Sequence, residues 1–512
     1  MNTNKLRNKV RPALFIGVLS FASFSCTNLE DVALDKLDKS GASASAQLTS
    51  AFNQLGAFTD QANIYALQEH STDEMQGPTR GTDWDDAGRW RNIHTHTWNG
   101  QSSDVVGAWD GLNRGHALAN EVVFASGVDK ASLAQALFIR SFYVFHIMDL
   151  FGQVPFKDNS GGTIENKVLS RKEAAAKIIA DLTAALPDLP AATTTNTGRG
   201  TKAAAQALIA KVQLNMGVYN ADPKTPGTIV APTAAELDAV IANCDAIINS
   251  GVYKLTPNYF DNFSPQNTEK STELIFAIAS TTGQSLNAGS SVRNRYYMTT
   301  HYNQNPSGWN GFTTLSDFYN SFEEGDSRKG GSVIDASASG LRYGWLAGIQ
   351  YDKDGKVLTD RQGSPLNFTA DCSLATAGEK EGIRGIKYAP DFGNVDAPGN
   401  DYVFFRYADV VMMKAEALFR KNDKPGALAL VNQVRTTRGA KALTDLTDAA
   451  LLAERGREFY WEGWRRNDQI RFGKFNDPVV NRSAKSDGYR VLYPIPQKEI
   501  EINPNLKQNA GY

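Results

Sequence analysis

A mainly α-helical fold, with stacked helix pairs of the tetratricopeptide kind around a loop-rich, aromatic-rich insertion containing short strands, is what this sequence predicts. Three observations carry the prediction. Apolar residues recur at helical spacing in long segments on both sides of the chain's middle. Two of these segments, 403–420 and 426–437, are joined by the short turn Asn422-Asp-Lys-Pro425 and carry Ala at packing positions, as antiparallel repeat helices do. Residues 255–400 instead concentrate Gly, Asn, Asp, Ser and aromatics and lose the periodicity. No clean repeat period runs through the chain.

The elements follow in order. Lys5, Arg7, Lys9 and Arg11 form a basic start, followed by an apolar stretch from Ala13 to Phe24, then Ser25 and Cys26. That run is too short to span a bilayer and reads as a secretory signal over residues 1–25. A cysteine directly after it predicts lipoprotein processing, with cleavage before Cys26 and acylation of its sulfur and new amino terminus. The alternative is an ordinary signal peptide with a chance cysteine. Loss of the four basic residues takes the formal charge from −2 to −6, which gives no reason to expect nucleic acid. No later stretch is read as long and apolar enough to cross a membrane. Beyond Cys26 only Cys244 and Cys372 remain. Their pairing is open, and no spacing suggests a zinc or other metal site.

Residues 26–50 are polar, small and charged and read as a tether. A single domain is expected over 51–512, its helical scaffold mainly in 51–254 and 401–512 and its insertion at about 255–400. In 131–151, Ala134, Leu137, Phe138, Ser141, Phe142, Phe145 and Met148 form one stripe, and Gly152 and Pro155 end the helix. Further helices are predicted over 171–186, 201–219 and 235–250, the last closed by Gly251. Another is expected over 448–464, entered through Thr447 as cap and Asp448 as first-turn acid. Short strands are expected at Leu274–Ala279 and Ile383–Tyr388. The aromatics of the insertion argue against disorder there.

Four segments resemble one family: Phe138–Pro155, Tyr402–Leu418, Glu454-Arg-Gly-Arg-Glu-Phe-Tyr-Trp-Glu-Gly-Trp-Arg465 with its continuation to Arg471, and Tyr493–Asn505 running on to Gly511-Tyr512. In this order they are similar to the SusD/RagB family of nutrient-binding outer-membrane lipoproteins. The resemblance implies a tetratricopeptide-like scaffold with a variable, loop-rich half and no cofactor. It also implies a lid on a SusC-like TonB-dependent transporter, to which glycans or, in some branches, peptides are delivered. Glu30-Asp31 resembles a surface-export signal of this group.

A sugar offers apolar C–H faces and many hydroxyls, so its site needs flat aromatics flanked by polar groups. Two loops supply them, Ser71–Gly88 and Tyr296–Asn310. Trp84 and Trp309 are expected to stack on ligand, Tyr296 or Tyr297 to complete an arc, and Arg80 and Asp83 to bond hydroxyls. The competing reading of each tryptophan is a loop anchor. Trp90, Trp98, Trp109, Trp461 and Trp464 lie in core-like patterns. His94-Thr-His96 lacks a third ligand nearby and reads as structural. Glu454, Glu458 and Glu462 share a helix face, where arginines at 455, 457, 465 and 466 suggest an ion-pair lattice rather than a glycosidase pair. Asp352-Lys-Asp-Gly355 lacks the downstream glutamate of a calcium loop and reads as a turn. Capture of a glycan is therefore expected, with peptide capture and, less favoured, a surface glycoside hydrolase as the alternatives.

Overall fold

In a computed structural model the residues described are 43–158, 165–284 and 291–512. The signal, Cys26, Glu30-Asp31 and most of the tether lie outside them. Ser43 caps the first helix, Ala44–Asn53, by accepting a hydrogen bond from the Ala46 amide. That helix begins inside the stretch read as tether.

The helices pack pairwise. Ser103–Val123 packs on Lys130–Phe151, which packs on Arg171–Ala185. Lys202–Leu214 packs on Ala234–Asn249, and the latter on Tyr407–Arg420, itself paired with Lys424–Thr437. Ser103–Val123 escaped the sequence reading because Gly107, Gly111 and Gly115 break its apolar stripe. Two of them give clearance: a Cβ on Gly115 would sit 2.3 Å from the Tyr143 ring, and one on Gly107 2.2 Å from Asn63 Oδ1. Lys130–Phe151 ends at Gly152, whose φ of 75° suits a residue without Cβ. Pro155 instead lies in the following strand, Gln153–Asp158. This helix corrects the expectation that nothing after the signal has membrane-spanning character, since by length and composition it qualifies. Its Phe138, Phe142, Phe145 and Met148 are buried in the protein's own core.

Three further boundaries differ from expectation. The 201–219 segment divides at Asn215 into Lys202–Leu214 and Met216–Tyr219. Residues 402–406 are a strand, and the helix starts only at Tyr407. The helix entered at Thr447 stops at Phe459, because Trp461 and Gly463 take positive φ and turn the chain into Arg465–Arg471.

The insertion joins the scaffold through an antiparallel ribbon, Leu274–Ile278 against Tyr402–Arg406. Beyond it, Arg342–Leu346 lies between Gly330–Val333 and Arg384–Ile386 in a small sheet. Both strands foreseen in the insertion are thus present. Residues 43–512 share one contiguous core, with a satellite cluster of Tyr296, Leu341, Leu346, Leu366, Phe368 and Ile386 under the insertion.

Buried charges knit the scaffold together. Glu454, Glu458 and Glu462 do form an ion-pair lattice, but most of its cations come from far along the chain. Arg328 bridges Glu454 and Glu458 at 2.7 and 3.0 Å, and Arg406 reaches Glu458 and Glu462 at 2.7 and 2.8 Å. Arg438 binds Glu458 and Glu273. Of the four neighbouring arginines only Arg457 pairs with the set, while Arg455, Arg465 and Arg466 turn to Asp468, Asp73 and Asp149.

Candidate ligand-binding face

The two aromatic loops converge. Arg80 and Asp83 exchange backbone hydrogen bonds around a tight turn, placing Trp84 at a φ of 61°. On the other loop Trp309 donates its amide to the Tyr297 carbonyl at 2.7 Å and is followed by Asn310 at a φ of 51°. Non-glycine residues in this region cost about 1–3 kcal/mol each and persist only where the surroundings enforce them. Two buried arginines do so. Arg80 donates to the carbonyls of Glu381 and Gly311 at 2.8 and 3.4 Å and to that of Gly378. Arg384 grips Asn310 Oδ1 at 2.7 Å and the Glu379 carbonyl at 2.9 Å.

On this frame Trp84, Trp309 and Tyr297 form a half-buried arc. The Trp84 and Trp309 ring centres are 6.4 Å apart and those of Trp309 and Tyr297 5.7 Å, with interplanar angles of 46° and 47°. The Trp84 indole N–H donates to the Trp309 carbonyl at 2.9 Å. One side of Trp84 packs on Phe312 at 4.8 Å and over Gly311, where a Cβ would lie 2.5 Å from the ring. Trp84 is therefore anchored while remaining half-exposed.

Polar groups rim the arc. Tyr302 donates its hydroxyl to Asp83 at 3.1 Å, and Arg361 lies over the Tyr302 ring while binding Glu379 at 2.8 Å. At the other end Arg293 binds Asp396 at 2.7 Å, and Tyr297 donates its hydroxyl to the same oxygen at 3.3 Å. Burial and the neighbouring Asp83 raise the Tyr302 phenol above its ordinary range, so it stays a donor.

Two expectations need correction. Tyr296 is fully buried, with its hydroxyl bonded to the Val395 carbonyl at 2.5 Å, so it supports the insertion and offers no face to ligand. Arg80 is spent on backbone carbonyls, which buried carbonyls require, and it braces the loops. Asp83 keeps its place on the rim. Tyr302 lay within the loop already suspected. Arg293, Arg361 and Asp396 carried no local signal, because only the fold brings them to the aromatics.

The remaining sequence features are structural. Trp90, Trp98, Trp109, Trp461 and Trp464 are all buried. His94 spans the carbonyls of His70 and Val480, and His96 spans the Ser71 carbonyl and the Ser486 hydroxyl. Asp352 accepts amides from Asp354 and Lys356 in a hairpin turn. Cys244 and Cys372 are free thiols. Burial alone would raise the Glu454 carboxyl, but Arg328, Arg457 and Arg435 outweigh it and hold it at about 2. That is a structural anion rather than a proton donor.

Tetratricopeptide-like helix pairs are the fold of SusD-like structures. A model described as the SusD family matches residues 272–512, and one described as starch-binding associating with outer membrane matches residues 35–214. The chain belongs to the SusD family. It is 26% identical to the starch-binding protein SusD of Bacteroides thetaiotaomicron over 425 residues, covering 74% of this chain and 72% of that one. Among solved structures, surface glycan-binding protein A from Bacteroides fluxus superposes with a TM-score of 0.68 at 22% identity, over 92% of this chain and 99% of its own. The protein of that name from Bacteroides thetaiotaomicron, in complex with laminarihexaose, superposes with a TM-score of 0.66 at 20% identity, over 91% and 98%.

Proposed function

We propose that this protein is a cell-surface glycan-binding lipoprotein that captures oligosaccharides and passes them to a TonB-dependent outer-membrane transporter of the SusC kind. The observation that carries the reading is the arc of Trp84, Trp309 and Tyr297, half-exposed, braced from behind and rimmed by Asp83, Tyr302, Arg361 and Asp396. Ring faces suit the C–H faces of sugars, and the rim supplies donors and acceptors for hydroxyls. The glycan-binding names of its relatives support the same reading. In this proposal residues 1–25 are the signal, lipid on Cys26 holds the protein to the outer membrane facing outward, and the tether leads into one SusD-like domain. An open aromatic face favours glycan over peptide, which a deeper charged cavity would suit better. It favours capture over hydrolysis as well.

Affinity gel electrophoresis of the chain from Thr27 onward against a polysaccharide panel tests this, with reducing-sugar release assayed alongside. We expect retardation by one glycan class without sugar release, weakened at least tenfold, or about 1.4 kcal/mol, by Trp309→Ala. Sugar release would replace capture by hydrolysis. Binding to peptides with no glycan retained would shift the ligand class.

A further inference from the structure

Tyr351 is the most exposed aromatic among the described residues, at 43%. It packs against neither hydrophobic cluster, and among the described residues its ring has no aromatic or cationic neighbour and its hydroxyl no hydrogen bond. The fold has little use for it beyond its bridge partner Val357 on the same hairpin.

It lines a cleft of about 210 Å³ between that hairpin and the segment Asn303–Asn305. At about 30 Å³ per water the cleft holds roughly seven waters, room for a ring with its hydroxyls rather than a whole chain. Its walls are mixed, Leu341 and Leu358 among them, and the polar groups are already set. Asn303 and Asn305 each donate their side-chain amide to a backbone carbonyl, of Thr359 and Ala338, at 2.7 and 2.8 Å, which leaves their Oδ1 atoms as acceptors. Exposed Lys353 adds a donor.

The cleft and the aromatic arc share a wall. The loop that begins at His301 is closed by the Gly308 amide on the His301 carbonyl at 3.3 Å, and it carries Tyr302 and Trp309 toward the arc and Asn303 and Asn305 into the cleft. The Cα atoms of Asn305 and Trp309 can be no more than about 14 Å apart, even with the chain between them fully extended.

We propose that this cleft is a second sugar subsite, in which Tyr351 stacks on a further ring of the same oligosaccharide whose first rings lie on the arc. The inference rests on the glycan-capture reading and adds that affinity depends on chain length. Asn303 and Asn305 accept from hydroxyls of that ring, and Lys353 donates to one.

The test is calorimetry on size-fractionated oligosaccharides prepared from the polysaccharide that the protein retains in gels. Tyr351→Ala should weaken the longest fraction about fivefold, as loss of one stacked ring implies, and leave the shortest binding fraction within twofold. Tyr351→Phe should keep most of the affinity. Ala338→Trp, which fills the cleft from a half-buried position on its wall, should reproduce the length-dependent loss. Trp309→Ala should weaken every length. If Tyr351→Ala leaves the long fraction unchanged, or weakens all lengths alike, the subsite is wrong while glycan capture stands. If the wild-type chain retains no polysaccharide, both readings fall together.

Discussion

The buried ion-pair lattice beneath the helices and the brace behind the aromatic loops use charge in opposite ways. In the lattice, carboxylates and guanidiniums face each other out of water, as Glu458 does between Arg406, Arg438 and, reaching in from the insertion, Arg328. Behind the aromatic loops, buried guanidiniums face the backbone: Arg80 and Arg384 hold carbonyls of residues 378–382 and leave the aromatics in front of them open. A buried ion pair fixes which elements meet. A guanidinium on carbonyls fixes the course of a loop and commits no side chain on its outer surface. The buried charge clusters in this protein therefore mark architecture, and the half-exposed rings and their polar rim are left free of it.

The largest test of that contrast is Glu458→Ala, which takes one carboxylate partner from each of three buried guanidiniums and should cost about 3–5 kcal/mol in denaturant unfolding. A loss below about 1 kcal/mol would remove the distinction, since surface pairs are worth that much. Arg80→Ala leaves carbonyls unpaired and should cost about 2 kcal/mol, with glycan binding weakened because the Trp84 turn loosens. Trp309→Ala should lie at the other extreme, changing stability by less than about 1 kcal/mol while removing most of the binding. Equal losses of stability and binding in that variant would make Trp309 an anchor.

Titration sharpens the contrast from the scaffold side. Burial holds His94 at about 4 and His116 at about 3, so both are neutral in the fold and gain protons on unfolding below their ordinary 6.5. Their contribution is complete above about pH 6.5 and is lost as the pH falls through 4 and 3. Glu69 acts with the opposite sign. Burial raises its carboxyl from 4.5 to about 7, so the fold keeps a proton that the unfolded chain releases, and stability declines as pH rises from 4.5 through 7. Glu69→Gln should reduce that decline, the remainder coming from Glu74 beside it, whose carboxyl burial also raises, read as unfolding midpoints from pH 4 to 8. An unchanged profile would rule out Glu69 as its source.

Much of the scaffold was legible because helices write themselves locally. Thr447 does cap its helix, by accepting from the Ala450 amide at 3.1 Å, and Gly251 does close another at a φ of 68°. What escaped was set by distant partners. Tyr402–Arg406 has the apolar run of a helix start and becomes a strand because Leu274–Ile278 lies beside it. The three glutamates announced a lattice, yet Arg328, Arg406 and Arg438 could not be matched to them from spacing. At the candidate face Trp84, Trp309, Tyr297 and Asp83 were readable as aromatic and acidic residues in Gly-rich loops. Tyr296 and Tyr297 could not be told apart, since which neighbour turns inward depends on a satellite core assembled from residues 341–386.

The ribbon of Leu274–Ile278 against Tyr402–Arg406 has a consequence for how such proteins diversify. It clamps both ends of the insertion within the core, so the entropy of closing that long loop is settled at its neck. Because closure entropy grows only as the logarithm of length, doubling the enclosed chain costs only about 0.6 kcal/mol. The segment beyond the neck is thus free to lengthen, shorten and change its recognition loops, while the helices beneath it keep their registration and the neck keeps its pairing.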